Sequence, residues 1–170
     1  MKHAGHALSG AVFSDDMRYR YQLWRRWDDS LPLVLWLMLN PSVADHLDLD
    51  PTVTRCTERS KRLGYGGLLV ANLFGLISTD PKGLLEVIDP VGPDNDRQIA
   101  LAAQRCSTVI AGWGKSEWQL VGDRAHQVVS MLANAGHGQL YALKTTKDGD
   151  PHHPLYLPYK LQPTPWRARS

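Results

Sequence analysis

The sequence predicts a three-layer α/β/α sandwich, with a mainly parallel four-stranded central sheet and an antiparallel hairpin on its N-terminal side. Three observations carry that expectation. Four short apolar runs, at 33–39, 68–71, 109–111 and 140–143, lack alternation, as strands buried on both faces do. Segments with helical spacing separate them, and strands alternating with helices imply a parallel sheet. Each run also stops at a polar or glycine-rich turn, and in open α/β sheets ligands collect at the carboxyl ends of strands.

Residues 11–27 read as the hairpin. Ser14-Asp15-Asp16 supplies the turn, and Arg18 to Leu23 alternates with period two. That pattern sets Tyr19, Tyr21 and Leu23 on one face and Arg18, Arg20 and Gln22 on the other. Asp28-Asp29-Ser30 turns the chain into the first buried strand, 33–39. Asp50 caps the helix that follows, Pro51 suits its first turn, and Val53, Cys56, Ser60 and Leu63 form a small inner face. Gly64, Gly66 and Gly67 end it, and the second buried strand runs into Asn72-Leu73-Phe74. A long connection broken by Asp80-Pro81, Asp89-Pro90 and Gly92-Pro93 holds a helical turn within 82–87. Asp94 or Asn95 caps the next helix, where Ile99, Ala102, Ala103 and Cys106 recur at helical spacing. The third strand ends in Gly112-Trp113-Gly114. Ser116 and Gln119 have capping-box spacing for a helix carrying Leu120, Val128, Val129 and Leu132, which Gly136 stops. The fourth strand ends in Lys144-Thr145-Thr146-Lys147, and the tail from Asp148 is rich in proline without helical pattern.

A single domain spans 1–170, divided into the hairpin 11–27, an α/β core 33–147 and a Pro-rich segment 148–170. A chain of 170 residues buries a sizeable core. Its 43% hydrophobic and 21% charged residues are ordinary for a soluble protein, and a net charge of +2 does not by itself indicate a nucleic-acid partner. Two distant cysteines, Cys56 and Cys106, exclude a disulfide framework and an all-Cys metal cluster. No apolar stretch reaches spanning length and the start lacks a long apolar segment, so a cytoplasmic protein with no membrane partner is expected.

In a parallel sheet the four strand-end turns gather along one edge. Their chemistry suits a flat ring attached to phosphate. Asn40 and Asn72 each carry donor and acceptor, as reading a base edge requires. Phe74 or Trp113 offers a stacking surface, and Gly112 and Gly114 admit close backbone approach. Pro41 and Ser42 complete the first turn, and Arg55, Lys144 and Lys147 supply phosphate contacts. Plainer roles remain open: Asn40 as a turn residue, Trp113 as packing, the glycines as spacers, the lysines as solvated charge. Adjacent His152 and His153 point to opposite faces of an extended chain, so no shared metal is expected. His153, fixed by Pro154, is the better donor or proton carrier, and Asp45 the candidate general base. Asp50 is explained as a cap. The hairpin's Arg18, Arg20, Arg25 and Arg26, interleaved with Tyr19, Tyr21, Trp24 and Trp27, suit either nucleic acid or a charge-protected edge.

Several stretches occur together: Met38-Leu39-Asn40-Pro41-Ser42 with Ala44-Asp45, Asp50-Pro51-Thr52 with Arg55-Cys56, Asn72-Leu73-Phe74, Asp89-Pro90-Val91-Gly92-Pro93, Gly112-Trp113-Gly114 and His153-Pro154-Leu155-Tyr156. In this the chain resembles the bacterial and phage family called domain of unknown function 1643, over about residues 33–166. More distantly it resembles the uracil-DNA glycosylase superfamily. There Asn40-Pro41-Ser42 is similar to the motif after the first strand, and His153-Pro154 to the motif after the fourth. That resemblance implies that Asn40 positions water at the glycosidic carbon, His153 contacts the base or the departing charge, and Asn72 or Phe74 lines the base pocket. Ser42 stands where glycine is usual, Leu155-Tyr156 replaces small residues, and the four cysteines of the iron–sulfur branches have no counterpart. The expectation is a nucleobase- or nucleotide-directed protein without a cofactor, hydrolysing an N-glycosidic bond in DNA or a nucleotide. The alternatives are a non-catalytic nucleotide or modified-base binder, and a partner-binding protein that uses the aromatic hairpin.

Overall fold

The strand expected at 33–39 is the hub of the sheet. In the computed structural model, which describes residues 2–6 (backbone only), 8–43 and 50–169, β4 (Leu33–Met38) is buried at every position. It pairs in parallel with β5 (Gly67–Asn72) on one side and β6 (Thr108–Ala111) on the other. Beyond β6, β7 (Leu140–Ala142) joins in parallel through the Ile110–Tyr141 pair. Beyond β5 the direction reverses: β3 (Arg20–Arg26) is antiparallel, followed outward by β2 (Ser9–Phe13) and β1 (Lys2–His6). β8 (Thr164–Trp166) closes the far edge against β7. The described residues thus form a mixed α/β fold with strand order β1-β2-β3-β5-β4-β6-β7-β8. The sheet is larger than the expected four strands and hairpin by two: β1 adds a strand outside the hairpin, and the Pro-rich tail returns to add β8 at the other edge. Pro165 is tolerated there, since an edge strand leaves one row of amides unpaired.

Alternate residues of β4 face different helices. Val34, Trp36 and Met38 pack with Val53 and Cys56 of α1 (Pro51–Arg62). Leu35 and Leu37 pack with Ile99, Ala102 and Ala103 of α2 (Asn95–Arg105) and with Val121, Ala125, Val128 and Leu132 of α3 (Gln119–Asn134). Trp36 is fully buried, and its indole donates to Ser60 Oγ at 2.9 Å, so α1 satisfies the one polar atom of that side chain.

Two local expectations change. Val12 pairs with Gln22 but Phe13 with Arg20, so Tyr21 is an extra residue, a β-bulge. Beyond it the face pattern flips: Leu23 joins the α1 side, while Gln22 donates to the Gln98 carbonyl of α2 at 2.9 Å. Arg20 and Gln22, expected on a polar face, are buried because β3 is an interior strand. The capping box at Ser116 does not form. Ser116 Oγ accepts the Trp118 amide at 3.2 Å, the helix begins at Gln119, and Gln119 pairs with Asp123 instead. Val121 rather than Leu120 consequently faces the core. The 3₁₀ turn Pro81–Leu85 fulfils the helical turn expected in the long connection.

Candidate functional site

The carboxyl ends of β4, β5 and β6 meet the start of β3 at one edge of the sheet, where a cleft of about 220 Å³ opens. Asn40, Pro41, Ser42, Asn72, Trp113 and His153 all line it. Their positions follow from how each strand ends.

The turn after β4 is tied to the long connection, with the Ser78 amide donating to the Pro41 carbonyl at 2.9 Å. Asn40 Nδ2 donates to the carbonyls of Pro41 (3.1 Å) and Ser78 (2.8 Å). Two carbonyl partners fix which end of the amide is nitrogen. Asn40 Oδ1 is left with no donor among the described residues. Ser42 Oγ donates to Asp50 Oδ2 at 3.0 Å, while Asp50 Oδ1 accepts the Thr52 amide at 2.8 Å as the cap of α1.

Asn72 closes β5 and follows Leu68 and Val70 onto the α1 side of the sheet. Its backbone is held from the opposite side. Asn95 Nδ2 donates to the carbonyls of Asn72 (3.0 Å) and Leu73 (3.1 Å), and Arg124 Nε reaches the Leu73 carbonyl at 2.7 Å. Asn72 as a residue is only 4% exposed, and its amide makes no hydrogen bond among the described residues but keeps some access to the cleft, unlike the fully buried and unpartnered Asn95 Oδ1. A buried amide facing a cleft without a protein partner is uncommon.

His153 arrives from the tail. The Gly114 amide donates to the Pro151 carbonyl at 2.9 Å, and the His152 amide to the Lys144 carbonyl at 2.8 Å, pinning the segment across the ends of β6 and β7. His153 Nδ1 accepts the Leu155 amide at 3.2 Å, so the neutral ring carries its proton on Nε2. Burial holds its pKa below the usual imidazole value, against the opposing pull of the Asp50 carboxylate. Trp113, 5% exposed, forms one wall and packs edge-on to Trp166 at 5.1 Å, so it both stiffens the core and faces the cleft.

Residues 20–155 match the family described as "Protein of unknown function (DUF1643)". The chain belongs to this family. The DUF1643 match begins at Arg20 and ends just after His153, the first and last residues lining the cleft. Neither curated proteins nor solved structures give a match.

Other expected residues lie elsewhere in this DUF1643 fold. Phe74 is wholly buried in the core rather than in the cleft, because its neighbours Leu73 and Gly75 are drawn inward by hydrogen bonds to β4 and to the Val91 carbonyl. Gly112 lies under the cleft as a spacer: a Cβ there would sit 3.2 Å from both Met38 Sδ and Pro154 Cδ. Arg55 is committed to the tail, donating to the Leu157 carbonyl at 2.6 Å with its guanidinium 3.7 Å from the centre of the Tyr159 ring. Gly114, Lys144 and Lys147 line an adjoining groove that shares His153 with the cleft. Asp45 lies outside the described residues. The hairpin's aromatic face is partly consumed by the fold, since Trp27 Nε1 donates to the Tyr65 carbonyl at 2.9 Å.

The cleft also holds residues not expected there. Arg20 enters because an antiparallel strand brings its beginning, not its end, to this edge. Asp50 was accounted for as a cap, yet its second oxygen reaches Ser42. Ser78 and Thr79 come from the long connection, where no periodic signal marks them. Among the described residues no cluster of three or more His, Cys, Asp or Glu could hold a metal, and no helix is long and apolar enough to cross a membrane.

Proposed function

We propose that the cleft receives a nucleobase and that the protein hydrolyses the N-glycosidic bond holding it, in DNA or in a nucleotide. The Asn72 side chain carries this reading. It presents donor and acceptor together on one planar group, the pattern needed to pair with a base edge. Without a protein partner and open to the cleft, that edge is free to pair with a ligand, and each such hydrogen bond contributes about 0.5–1.5 kcal/mol net. Trp113 gives the ring a flat wall, and the cleft is of a size for a base rather than for a large cofactor.

The chemistry follows from the remaining groups. Water, hydrogen-bonded to Asn40 Oδ1, attacks C1′ of the sugar and gives its proton to the Asp50 carboxylate. The C1′–N bond breaks, and the base departs as an anion that accepts a hydrogen bond from His153 Nε2–H before taking a proton from solvent. A neutral imidazole suits that task, and burial favours the neutral form. The resemblance of Asn40-Pro41-Ser42 and His153-Pro154 to the two site motifs of uracil-DNA glycosylases supports the same roles. So does the parallel set β5-β4-β6-β7 with helices on either side.

The test is base release from a panel of damaged and modified oligonucleotides, single- and double-stranded, and from nucleotides. Release lost on Asn40→Ala is expected, and intact substrates throughout would refute the hydrolysis. A second reading, recognition without turnover, is favoured by Asp50, whose two oxygens already accept from Thr52 and Ser42. Saturable base binding without release would select it.

A further inference from the structure

We propose that the groove beside the cleft seats consecutive phosphates of a nucleic-acid strand, so that the ligand is an oligonucleotide rather than a free nucleotide. The inference rests on the nucleobase reading of the cleft and extends it to the polymer.

The groove, about 570 Å³, is larger than the base cleft and adjoins it at His153, which lines both. Lys144, Lys147 and Lys115 line it, with one carboxylate, Asp148. Asp148 is occupied by Lys115 at 3.2 Å, and Lys115 also reaches Glu117 at 3.7 Å. The ammonium groups of Lys144 and Lys147 are exposed and have no ion pair among the described residues. Two cations without an ion pair among the described residues therefore line a groove that adjoins a pocket for a ring.

They stand on a braced turn. The Thr146 amide donates to the Asp150 carbonyl at 2.8 Å, and the Gly149 amide to the Thr146 carbonyl at 3.0 Å. Thr145 and Thr146 add hydroxyls of the kind that bind phosphate oxygens. A mononucleotide would place its phosphate at one point near the sugar. A groove of larger volume than the base cleft, with two cations that have no ion pair among the described residues, fits successive phosphates instead. The basic hairpin is a poorer track, because Arg20 is buried and Arg25 Nη1 donates to the Trp24 carbonyl at 3.0 Å.

The experiment measures binding of fluorescently labelled oligothymidylate and oligouridylate by anisotropy from about 50 to 200 mM salt. Each phosphate contact on a single strand contributes about 0.7 to the slope of log affinity against log salt, so the Lys144→Ala/Lys147→Ala protein should lose about 1.4 from the slope. Over that roughly fourfold salt range, wild type should therefore weaken about sevenfold more than the double variant. Lys160→Ala, which lines neither cavity, should keep the wild-type slope. Equal slopes in wild type and double variant, or no binding of either probe at the lowest salt, would overturn the proposal. Failure of the base reading is read separately, from free-nucleobase binding that is absent or insensitive to Asn72→Leu.

Discussion

Replacing Asn72 with leucine separates a residue kept for a ligand from one kept for the fold. The amide is 4% exposed, sits in the cleft and pairs with nothing among the described residues. Its amide keeps some access to the cleft, so holding it there unpaired costs only part of the about 1–3 kcal/mol of a fully buried unsatisfied group. Leucine has a similar volume and would meet Met38, Val53 and Val70, which also line the cleft. The Asn95 and Arg124 bonds to the backbone of Asn72 and Leu73 do not depend on the side chain. The expected outcome is a gain of about 1 kcal/mol in the ligand-free protein, which raises Tm by about 2–4 °C for a domain of this size. Thermal and urea denaturation followed by circular dichroism would measure it. Calorimetric titration with free bases should meanwhile show affinity falling at least about tenfold, or about 1.4 kcal/mol. A variant with Tm lowered by 2 °C or more, or one that binds bases as tightly as wild type, would refute the reasoning.

Three further outcomes follow from the geometry. Because burial depresses the His153 pKa below 6.5, the unfolded chain takes up the proton first as pH falls. Its contribution to stability is therefore present above the unfolded value and is lost as pH drops through the folded one; an NMR titration midpoint for His153 at or above 6.5 would contradict this. Gly66→Ala would place a Cβ 2.0 Å from the Asp28 carbonyl and 2.8 Å from that of Leu31, with backbone on both sides and no side chain free to yield. A loss of about 1–3 kcal/mol or more by urea denaturation is expected, and an unchanged midpoint would count against the packing described. Burial pushes the Cys106 thiol up to about 12 and that of Cys56 further. Neither should react with an aromatic disulfide reagent at mildly alkaline pH until the protein is denatured, and rapid native labelling would show the pockets to be open.

The strand interiors were legible because burial on both faces leaves no room for alternation: residues 33–38, 68–71 and 109–111 can read in only one way. Strand order was not, since a doubly buried strand looks the same at any interior position. β8 was hidden because Thr164-Pro165-Trp166 is short and contains a residue that strands usually reject. The bulge at Tyr21 has no signature of its own, yet it inverts every later residue of β3. In the cleft, Asn40, Asn72 and Trp113 were found because a strand end is a topological address. Arg20 required knowing that β3 runs the other way. The place of Asp50 in the cleft lining is not legible, because capping already explains that residue. The engagement of Arg55 by the tail is not legible, because an arginine on a helix surface gives no hint that distant Leu157 and Tyr159 will meet it.

The walls of the cleft come from positions as far apart as Arg20 and His153, with β3, β4, β5 and the turn after β6 contributing between them. Such a hollow has no counterpart in a partly assembled chain, so occupancy and global folding are thermodynamically linked. A ligand present at about a hundred times its Kd should then hold the whole domain together by about 2.7 kcal/mol more. Melting the protein against a library of bases, nucleotides and oligonucleotides becomes a search for the natural ligand that presumes no reaction. Any compound that raises the transition in wild type but not in Asn72→Leu announces itself as an occupant of this site.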